Sequence, residues 1–421
     1  MLSNPHSSSE IAAHQVRNEV RQDHQPCFNL ATFNSTYMEP AAEDLILEGL
    51  AKNLVDPRAY PSIMKMERRC VEMISDLFHA PAAFGVGTVG SSEAAMLATL
   101  ALKARWAEKV KKKKKMSKKT LAGHATTITA AARPNLILSS AAHVCWIKAG
   151  LYFDVEIVTV PCSEDRLVLD PRAAVDHVDE GTIGICCILG TTYTGEFDNV
   201  KKVNDLLLER GLDVPIHVDA ASGGFVAPFT TPETQWDFRL QQVASINVSG
   251  HKYGLVYPGI GWLLWRSADY FQKLTFQLSY LGAQQESCTL NFSRSSSHVI
   301  AQYYQFIRLG RDGYSQVMQK LMQTARHLTQ QLRMLGFVIL SKPDAGLPVV
   351  AFRLEHAHRL PYDEHMLSAE LKRRNWLVPA YAMPGGVERT SMMRVVCRLD
   401  LTQLMCDQFI RDLEASLVKL G

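Results

Sequence analysis

The sequence predicts an α/β fold with a large, mostly parallel sheet and a smaller C-terminal α+β domain. Two observations support this prediction. Short apolar segments alternate with helical patterns through most of the chain, and these segments are continuous rather than alternating, as is typical of strands buried on both faces. Near residue 315 the alternation of short apolar strands and helices ends, and a long helical pattern follows. A length of 421 residues is enough for one large domain with a smaller one attached.

The first 314 residues divide into an arm and a large domain. Residues 1–27 are polar and are expected to form an N-terminal arm, and the large domain is predicted over residues 28–314. Residues 85–92 are rich in glycine and serine and predict a turn that opens a helix over 93–106, and a further helix is predicted over 200–209. The predicted strands cover residues 135–138, 155–160, 183–189, 216–218, 245–248 and 261–265.

Residues 315–421 are predicted to form the C-terminal domain. A long helix runs to about residue 335, where Gly336 is a suitable C-cap. Strands are predicted over 337–340, 349–354 and 393–397, with helices over 364–376 and up to residue 420.

Composition excludes several function classes. The net charge of +3 is small for this length, so the sequence predicts neither a nucleic-acid partner nor a membrane partner. The N-terminal segment lacks the apolar centre of a secretory signal. The nine cysteines include no C-x-x-C pair, which indicates a reducing, cytoplasmic setting, and no metal site is predicted.

A lysine-rich insertion is predicted over residues 109–133. Residues 109–119 contain eight lysines in eleven positions. Because like charges at this spacing repel, a solvated, disordered loop is expected. The alternatives are a nuclear address or a polyanion site.

The most informative motif is Asn-Val-Ser-Gly-His-Lys-Tyr over residues 247–253. Lys252 lies between Gly250 and Gly254 directly after a predicted strand, where a close-packed backbone can hold an amine in a cleft. Asp219, 33 residues earlier, ends another predicted strand. A carboxylate there can keep a pyridine nitrogen protonated, and an amine can bind an aldehyde. The pair therefore suggests a pyridoxal-phosphate enzyme.

Gly90-Ser91-Ser92-Glu93 lies at the start of a predicted helix. Free amides, two hydroxyls and the helix dipole suit a phosphate dianion there. A plain N-cap is the alternative.

Further stretches extend these motifs along the chain. They lie at residues 29–33, 37–40, 76–81, 90–94, 144–146, 192–195, 217–225, 245–254, 259–262, 291–294, 301–304 and 393–398. In these stretches the sequence resembles the glutamate decarboxylases, group II decarboxylases of the fold-type I class that depend on pyridoxal 5′-phosphate. The resemblance implies α-decarboxylation of L-glutamate to 4-aminobutyrate by a homodimer or higher homo-oligomer with the active site at the interface.

The resemblance also implies roles for individual residues. Lys252 would bind the cofactor aldehyde as a Schiff base, Asp219 would pair with the ring nitrogen, and Arg394 would bind a substrate carboxylate. The implied catalytic group is Lys252, Asp219, His143, His251 and Tyr280. The implied cofactor-binding residues are Ser91, Ser92, His143, Thr192, Asp219, Ala221, Ser249, His251, Lys252 and Ser293, the last from a partner subunit. The implied substrate-binding residues are Thr32, Phe33, Asn53, Asp56 and Arg394, with Asn53 and Asp56 acting across the dimer interface.

Several of these residues have structural alternatives. Arg394 is alternatively a structural ion-pair residue, Asp219 a turn residue, and Tyr280 a packed loop aromatic rather than a proton donor. Thr32, Asn53 and Asp56 are alternatively caps or turns.

Departures from the family pattern leave other functions open. His143 stands where the glutamate decarboxylases more often have Gln, and residues 62–66 differ near the substrate end. These differences motivate a decarboxylase of another amino acid, such as aspartate or cysteine sulfinate, as an alternative. A non-catalytic homologue that binds the cofactor and regulates a partner is a further alternative, which the intact lysine, aspartate and serine set disfavours.

Overall fold

The computed structural model describes residues 7–55, 58–120, 133–272, 274–280, 283–342, 344–355 and 357–421. The elements of the first part are, in chain order, α1 (Ser9–Val20), α2 (Pro40–Gly49), α3 (Pro61–Leu77), β1 (Phe84–Thr88), α4 (Ser91–Thr120), β2 (Asn135–Ser139), α5 (Val144–Phe153), β3 (Glu156–Val160), α6 (Pro171–Asp176), β4 (Thr182–Ile188), α7 (Val200–Glu209), β5 (Ile216–Asp219), α8 (Ala227–Thr230), β6 (Val243–Ser249), β7 (Gly261–Trp265), α9 (Ala268–Gln272), β8 (Phe276–Tyr280) and β9 (Ala283–Ser287). The remaining elements are α10 (Ser297–Met334), β10 (Phe337–Ile339), β11 (Val349–Leu354), α11 (Glu364–Arg373), β12 (Ala380–Ala382), β13 (Ser391–Val396) and α12 (Gln403–Leu420). Short 3₁₀ helices cover Pro26–Phe28, Gly223–Phe225 and Ala357–Arg359.

A seven-stranded sheet organises the large part of the molecule, in the order β1-β7-β6-β5-β4-β2-β3. The four pairings from β6 to β3 are parallel, and β7 pairs antiparallel with both β6 and β1. The prediction of a mostly parallel sheet is therefore confirmed.

The sheet is buried on both of its faces, which explains the continuous apolar strands. Every residue of β2, β4, β5, β6 and β7 is buried. Alternate residues face two different cores: Ile137, Ile185 and Val218 pack with α3, α7 and α10, whereas Leu138 and Cys186 pack with α4 and α5. Because the five adjacent parallel strands end at the same edge, the loops that follow them meet there, and this edge holds the candidate site.

A second sheet, β10-β11-β13-β12, is antiparallel throughout and packs with α10, α11 and α12 around its own core. The proposed domain boundary at residue 315 falls inside α10. This helix contributes Val299 and Met318 to the main core and Leu328 and Leu332 to the C-terminal core. The division at 315 stays a prediction.

The turn predicted over residues 85–92 is wrong in its first half, because β1 extends to Thr88. A Cβ on Gly85 would lie 2.8 Å from the Leu263 carbonyl oxygen, and one on Gly87 would lie 2.7 Å from Glu67 Oε1. These two glycines therefore allow close packing within a strand. The high glycine content of residues 85–92 is also typical of a turn, which is why a turn is predicted there.

The loop predicted for the lysine-rich insertion is wrong over residues 109–120, where α4 continues as a helix. Lysine is a good helix former, and Lys109 Nζ binds Asp213 on the body of the protein. Residues 121–132 of the insertion lie outside the described residues.

Other differences concern elements that the sequence did not predict. Helix α10 begins at Ser297 rather than near 315, with non-helical dihedral angles at Gly310. The β8–β9 hairpin and β12 were also not predicted. Gly336 has a φ of 84°, which confirms its prediction as the residue that ends α10. Residues 9–20 of the predicted arm form α1, which contains no buried residue.

Among the described residues, no helix has both the length and the apolar character that crossing a bilayer requires.

Candidate active site

A cavity of about 330 Å³ lies where the loops after β1, β2, β4, β5 and β6 meet. A volume of this size is within the range of small-ligand pockets. Of the residues predicted to bind a cofactor, all except Ser293 line it: Ser91, Ser92, His143, Thr192, Asp219, Ala221, Ser249, His251 and Lys252.

Lys252 follows β6 and extends its amine into this cavity. Its Nζ donates a hydrogen bond to Ser222 Oγ at 3.2 Å and lies 5.4 Å from the centre of the Phe33 ring. Burial lowers the pKa of the Lys252 amine, while the nearby Asp219 carboxylate raises it by a smaller amount. A lowered pKa increases the neutral fraction of the amine, which is the form that attacks a carbonyl carbon.

The turn that holds Lys252 is fixed by close backbone packing. A Cβ on Gly254 would lie 2.5 Å from the Gly250 carbonyl oxygen, so this turn needs glycine at residue 254. From α10, Gln302 and Tyr314 donate hydrogen bonds to the Gly254 carbonyl oxygen at 3.2 and 2.9 Å. The lysine is therefore attached to a rigid support rather than to a mobile loop.

Asp219, at the end of β5, accepts hydrogen bonds on both carboxylate oxygens. Oδ1 accepts from the Ala221 backbone N–H at 3.1 Å and from Asn247 Nδ2 at 2.9 Å. Oδ2 accepts from Trp146 Nε1 at 2.8 Å. All three donors are N–H groups that can only donate, so both oxygens act as acceptors and the carboxylate is held in one orientation. A carboxylate held in this way suits pairing with a protonated ring nitrogen of a ligand.

The opposite side of the cavity suits an anion. Helix α4 begins at Ser91, so the amides of its first turn point out of the helix start, and Ser91 Oγ lies 2.7 Å from Ser249 Oγ. The ring of His251 lies against Gly90, where a Cβ would be 3.1 Å from His251 Cε1. Burial, followed by the charge of Lys252, lowers the pKa of His251 to about 4. His251 Nδ1 is buried and has no hydrogen-bond partner among the described residues.

These features fit pyridoxal 5′-phosphate, which has an aldehyde, a ring nitrogen and a phosphate. Lys252 matches the aldehyde and Asp219 matches the ring nitrogen, as argued from their contacts. The helix start, the two serine hydroxyls and the unpartnered His251 Nδ1 match an anion.

His143 lines the cavity at the start of α5. Its Nδ1 accepts a hydrogen bond from the Cys145 backbone N–H at 3.2 Å, so the ring caps this helix. Burial, followed by the charge of Lys252, lowers the pKa of His143. A neutral aromatic ring at this position suits stacking on a planar ligand.

Arg394, on β13, is 9% exposed, and its guanidinium lies between two aromatic rings. Its centre is 4.6 Å from the ring centre of Phe33 and 5.7 Å from that of Tyr381. The terminal nitrogens donate to the carbonyl oxygens of Thr192 and Ala31, the latter at 2.6 Å, and Nε has no partner. Among the described residues, no carboxylate pairs with Arg394. The structural ion pair weighed as an alternative is therefore absent from this part of the chain, which favours an anionic ligand.

Thr32 and Phe33 lie in the segment before α2. Thr32 Oγ1 accepts a hydrogen bond from the Asn34 backbone N–H at 3.1 Å, which is a turn contact, and Thr32 does not line the cavity. Phe33 contacts both Lys252 and Arg394. Arg398 anchors this segment by donating to the carbonyl oxygens of Asn29 and Thr32 at 2.7 and 3.2 Å.

Asn53 and Ser293 lie together, away from the cavity lining. Asn53 Nδ2 donates to Ser293 Oγ at 3.2 Å, and Asn53 Oδ1 accepts from the backbone N–H groups of Val55 and Arg294. Asp56 lies outside the described residues. Tyr280 ends β8, and its side chain is also outside the described part of the structure.

Sequence reasoning gave no role to several residues of the site. Trp146 and Asn247 both bind Asp219, and Ser222 binds Lys252. A signal for Asn247 was present: it lies two residues before Ser249, so the two side chains share one face of β6. Trp146 approaches from α5, and neither residue spacing nor periodicity indicates that contact.

Comparison with known proteins gives a consistent picture. Residues 9–355 match the model of the pyridoxal-dependent decarboxylase conserved domain. A curated glutamate decarboxylase from Petunia hybrida is 47% identical over 97% of this chain and 81% of its own length, and glutamate decarboxylase beta from Listeria innocua is 42% identical over 98% and 88%. The solved structure of a glutamate decarboxylase from Lactobacillus brevis superposes with a TM-score of 0.93 at 39% identity, covering 100% of this chain and 94% of that one.

Proposed function

The chain belongs to the pyridoxal-dependent decarboxylase family, and from this premise we propose that it decarboxylates L-glutamate to 4-aminobutyrate and carbon dioxide. One observation supports this proposal above the others. A buried amine, a fixed carboxylate and an anion-binding helix start surround one cavity. Arg394, a buried arginine without a carboxylate partner among the described residues, binds Thr192 of the cavity lining.

The chain's own residues account for cofactor binding. Lys252 would bind the aldehyde carbon through its neutral amine, and Asp219 would hold a proton on the ring nitrogen. When bound, pyridoxal 5′-phosphate supplies an electron-accepting ring that takes up the electron pair left behind as carbon dioxide departs. Ser91, Ser92 and Ser249 would bind the phosphate, with His251 against it.

The remaining assignments concern the substrate. Arg394 would hold a substrate carboxylate next to Thr192, whose carbonyl oxygen already fixes the guanidinium. Phe33 contacts both Arg394 and Lys252 and would limit the space around them. After carbon dioxide leaves, Lys252 is the group best placed to return a proton to the α-carbon, since its amine lies in the cavity. His143 would stack on the ring, and Ala221 would pack against its other face.

Selectivity for glutamate over other amino acids is supported by the named function of the relatives, which are 42–47% identical over nearly the whole chain. His143 lines the cavity, and the charge of Lys252 contributes to the lowering of its pKa. Because His143 would stack on the ring, we expect the substitution at residue 143 to act first on cofactor binding.

We further propose a homodimer in which each subunit completes the other's site. Apolar side chains are exposed around the cavity mouth: Val89 is 45% exposed, Val144 55%, Leu290 48% and Phe292 39%. Asn53, Ser293 and Asp56 would then reach the partner's site, which would explain why Asn53 and Ser293 pair with each other away from their own cavity. A cytoplasmic location is supported by buried thiols that form no disulfide, such as Cys186 and Cys187 in β4.

The decisive experiment is release of carbon dioxide from a panel of L-amino acids by the protein purified with pyridoxal 5′-phosphate. Release dominated by glutamate, and lost together with the visible cofactor absorbance in Lys252→Ala, is the expected result. Lys148→Ala, on the exposed surface of α5, is the matched control and should keep both. Turnover that persists in Lys252→Ala would overturn the proposed chemistry, and preference for another amino acid would overturn the proposed substrate.

A further inference from the structure

A buried row of polar side chains runs along β5 and β6 and ends at Asp219. The two strands pair in parallel, with His217 opposite Ser245 and Asp219 opposite Asn247. Since side chains alternate between faces along a strand, these four share one face of the sheet. All four are buried, and neither His217 nor Ser245 lines the cavity. The row therefore connects Asp219, which lines the cavity, to buried side chains that lie outside the cavity lining.

For a neutral His217 ring, the hydrogen bonds of this row have a single direction. Asp219 accepts only, so Asn247 must turn its Nδ2 toward it, at 2.9 Å. Asn247 Oδ1 then faces His217 Nε2 at 2.7 Å, and this ring nitrogen must carry the proton. His217 Nδ1 is left as the acceptor and receives the hydroxyl of Ser245 at 2.7 Å. Burial lowers the pKa of His217 to about 4, which agrees with a neutral ring.

His217 also contacts the second side chain that binds Asp219. The rings of His217 and Trp146 have centres 5.0 Å apart and planes inclined at 59°. Trp146 donates to Asp219 Oδ2, whereas Asn247 donates to Oδ1. His217 therefore lies between the two side-chain donors and restrains both, one by a hydrogen bond and the other by packing.

We propose that His217 is a positioning residue, which fixes the amide of Asn247 and the indole of Trp146 so that Asp219 holds the cofactor's ring nitrogen in its protonated form. This inference rests on the proposed function, because it presumes that Asp219 faces a pyridine ring. Without the proton on His217 Nε2, the Asn247 amide is restrained only by its bond to Asp219 and has lost the partner of its oxygen. The amide can then shift or tilt, which weakens its hydrogen bond to Asp219 Oδ1 and lets the carboxylate move from the ring.

A purely structural role makes a different prediction. A buried, mutually satisfied network stabilises a core, and its loss lowers the free energy of unfolding without changing the ring nitrogen. A positioning role changes the cofactor even in a fully folded protein. The test therefore needs a readout on the ring itself.

The proposal is tested with holoenzyme reconstituted with pyridoxal 5′-phosphate labelled with ¹⁵N in the ring. In His217→Leu, which removes the donor, the ring-nitrogen resonance should move toward that of a neutral pyridine. The turnover number should fall roughly 10-fold or more, as expected when the displaced Asn247 amide loses its hydrogen bond to the Asp219 carboxylate, with KM changed less than about threefold. His217→Gln can place an amide nitrogen near the position of Nε2 and should restore most of both.

Ser245→Ala serves as a second variant if His217→Leu does not fold. It breaks the outermost bond of the row and should shift the ¹⁵N resonance in the same direction by a smaller amount. Thr99→Val is the matched control, because it removes a buried hydroxyl from α4 that, within the described part of the chain, bonds only to the Ala95 carbonyl oxygen. Its resonance and turnover should equal those of the wild type.

The results of these experiments distinguish a failure of the positioning role from a failure of the proposed function. A wild-type protein that binds the cofactor but does not act on glutamate would overturn the substrate and leave the resonance test intact. An unchanged resonance in folded His217→Leu, or in Ser245→Ala where His217→Leu does not fold, would overturn the positioning role.

Discussion

The guanidinium centre of Arg394 lies 4.6 Å from the centre of the Phe33 ring, and Lys252 Nζ lies 5.4 Å from the same centre. One aromatic side chain thus contacts the two residues proposed to bind substrate and cofactor. The Phe33 ring attracts the guanidinium of Arg394, and the protonated form of the Lys252 amine, by cation–π interaction. The position of Phe33 depends on Arg398, which holds the backbone around it.

Replacing Phe33 with Leu removes the ring but keeps an apolar side chain. We expect KM for glutamate to rise roughly 2- to 30-fold, the range of a cation–π contact between an exposed and a desolvated site. Steady-state kinetics on the holoenzyme would measure the effect. Phe33→Tyr keeps the ring and should stay close to wild type. Equal losses in both variants would contradict the cation–π explanation and point to packing.

Replacing Arg394 with Lys keeps the positive charge but loses the planar fork. The guanidinium of Arg394 bonds to two carbonyl oxygens at once, which an ammonium on a flexible chain cannot reproduce. We expect kcat/KM for glutamate to fall by roughly 100-fold or more, since a buried carboxylate that loses its fitted bidentate partner is left imperfectly paired, which costs several kcal/mol. Arg353→Lys, on the neighbouring strand β11, is the control and should be near wild type. Unchanged kinetics in Arg394→Lys would remove this residue from the substrate site.

Replacing Trp146 with Phe removes one donor from Asp219 and keeps most of the packing. A hydrogen bond to a charged group contributes about 1.5–3 kcal/mol, so turnover should fall by roughly 10-fold. Stopped-flow measurement of the cofactor absorbance would show whether the change lies in the chemical step. Trp106→Phe, whose indole donates to the Glu180 carbonyl oxygen, is the matched control. A loss equal in both variants would mean that the Trp146 contact with Asp219 has no catalytic consequence.

Sequence patterns predicted the strands of the main sheet well because burial on both faces leaves an unbroken apolar signal. They predicted the cavity-lining residues because these follow the strand ends, where motifs such as residues 217–225 and 245–254 lie. The sequence did not predict β1, because Gly85 and Gly87 are needed there for close packing within a strand. Glycine is equally common in turns, and the sequence alone does not distinguish the two reasons.

Contacts between side chains that lie far apart in sequence could not be predicted. Trp146 reaches Asp219 across 73 residues, and Tyr314 reaches the lysine turn across 60. Both contacts depend on where a helix packs against the sheet, and periodicity gives the face of a helix but not its neighbour. The roles of Asn53, Asp56 and Ser293 stay predictions because they concern a second subunit.

The buried histidine His217 makes stability depend on pH in a defined direction. Its pKa is lowered from 6.5 to about 4 by burial, and the side chain is fully buried. In the unfolded chain the imidazole takes up a proton below about pH 6.5, whereas the folded protein takes it up only near pH 4. The unfolded state therefore binds more protons within this window. Stability is fully present above pH 6.5 and decreases as the pH falls toward 4.

The contribution of His217 is separated from that of other groups by comparing the wild type with His217→Gln. Between pH 7 and pH 5 the histidine should cost the wild type about 2 kcal/mol, since one pKa unit corresponds to about 1.36 kcal/mol. Glutamine does not titrate, so the variant should lose about that much less on acidification, even if it is less stable at pH 7. The pKa of His251 is lowered in the same way in both proteins, and its effect cancels in the difference. Urea unfolding of the cofactor-free proteins at the two pH values measures this difference directly. An identical loss in both proteins would mean that folding leaves the pKa of His217 unchanged. The folded ring would then be protonated at pH 5, and a protonated ring could not accept the hydroxyl of Ser245.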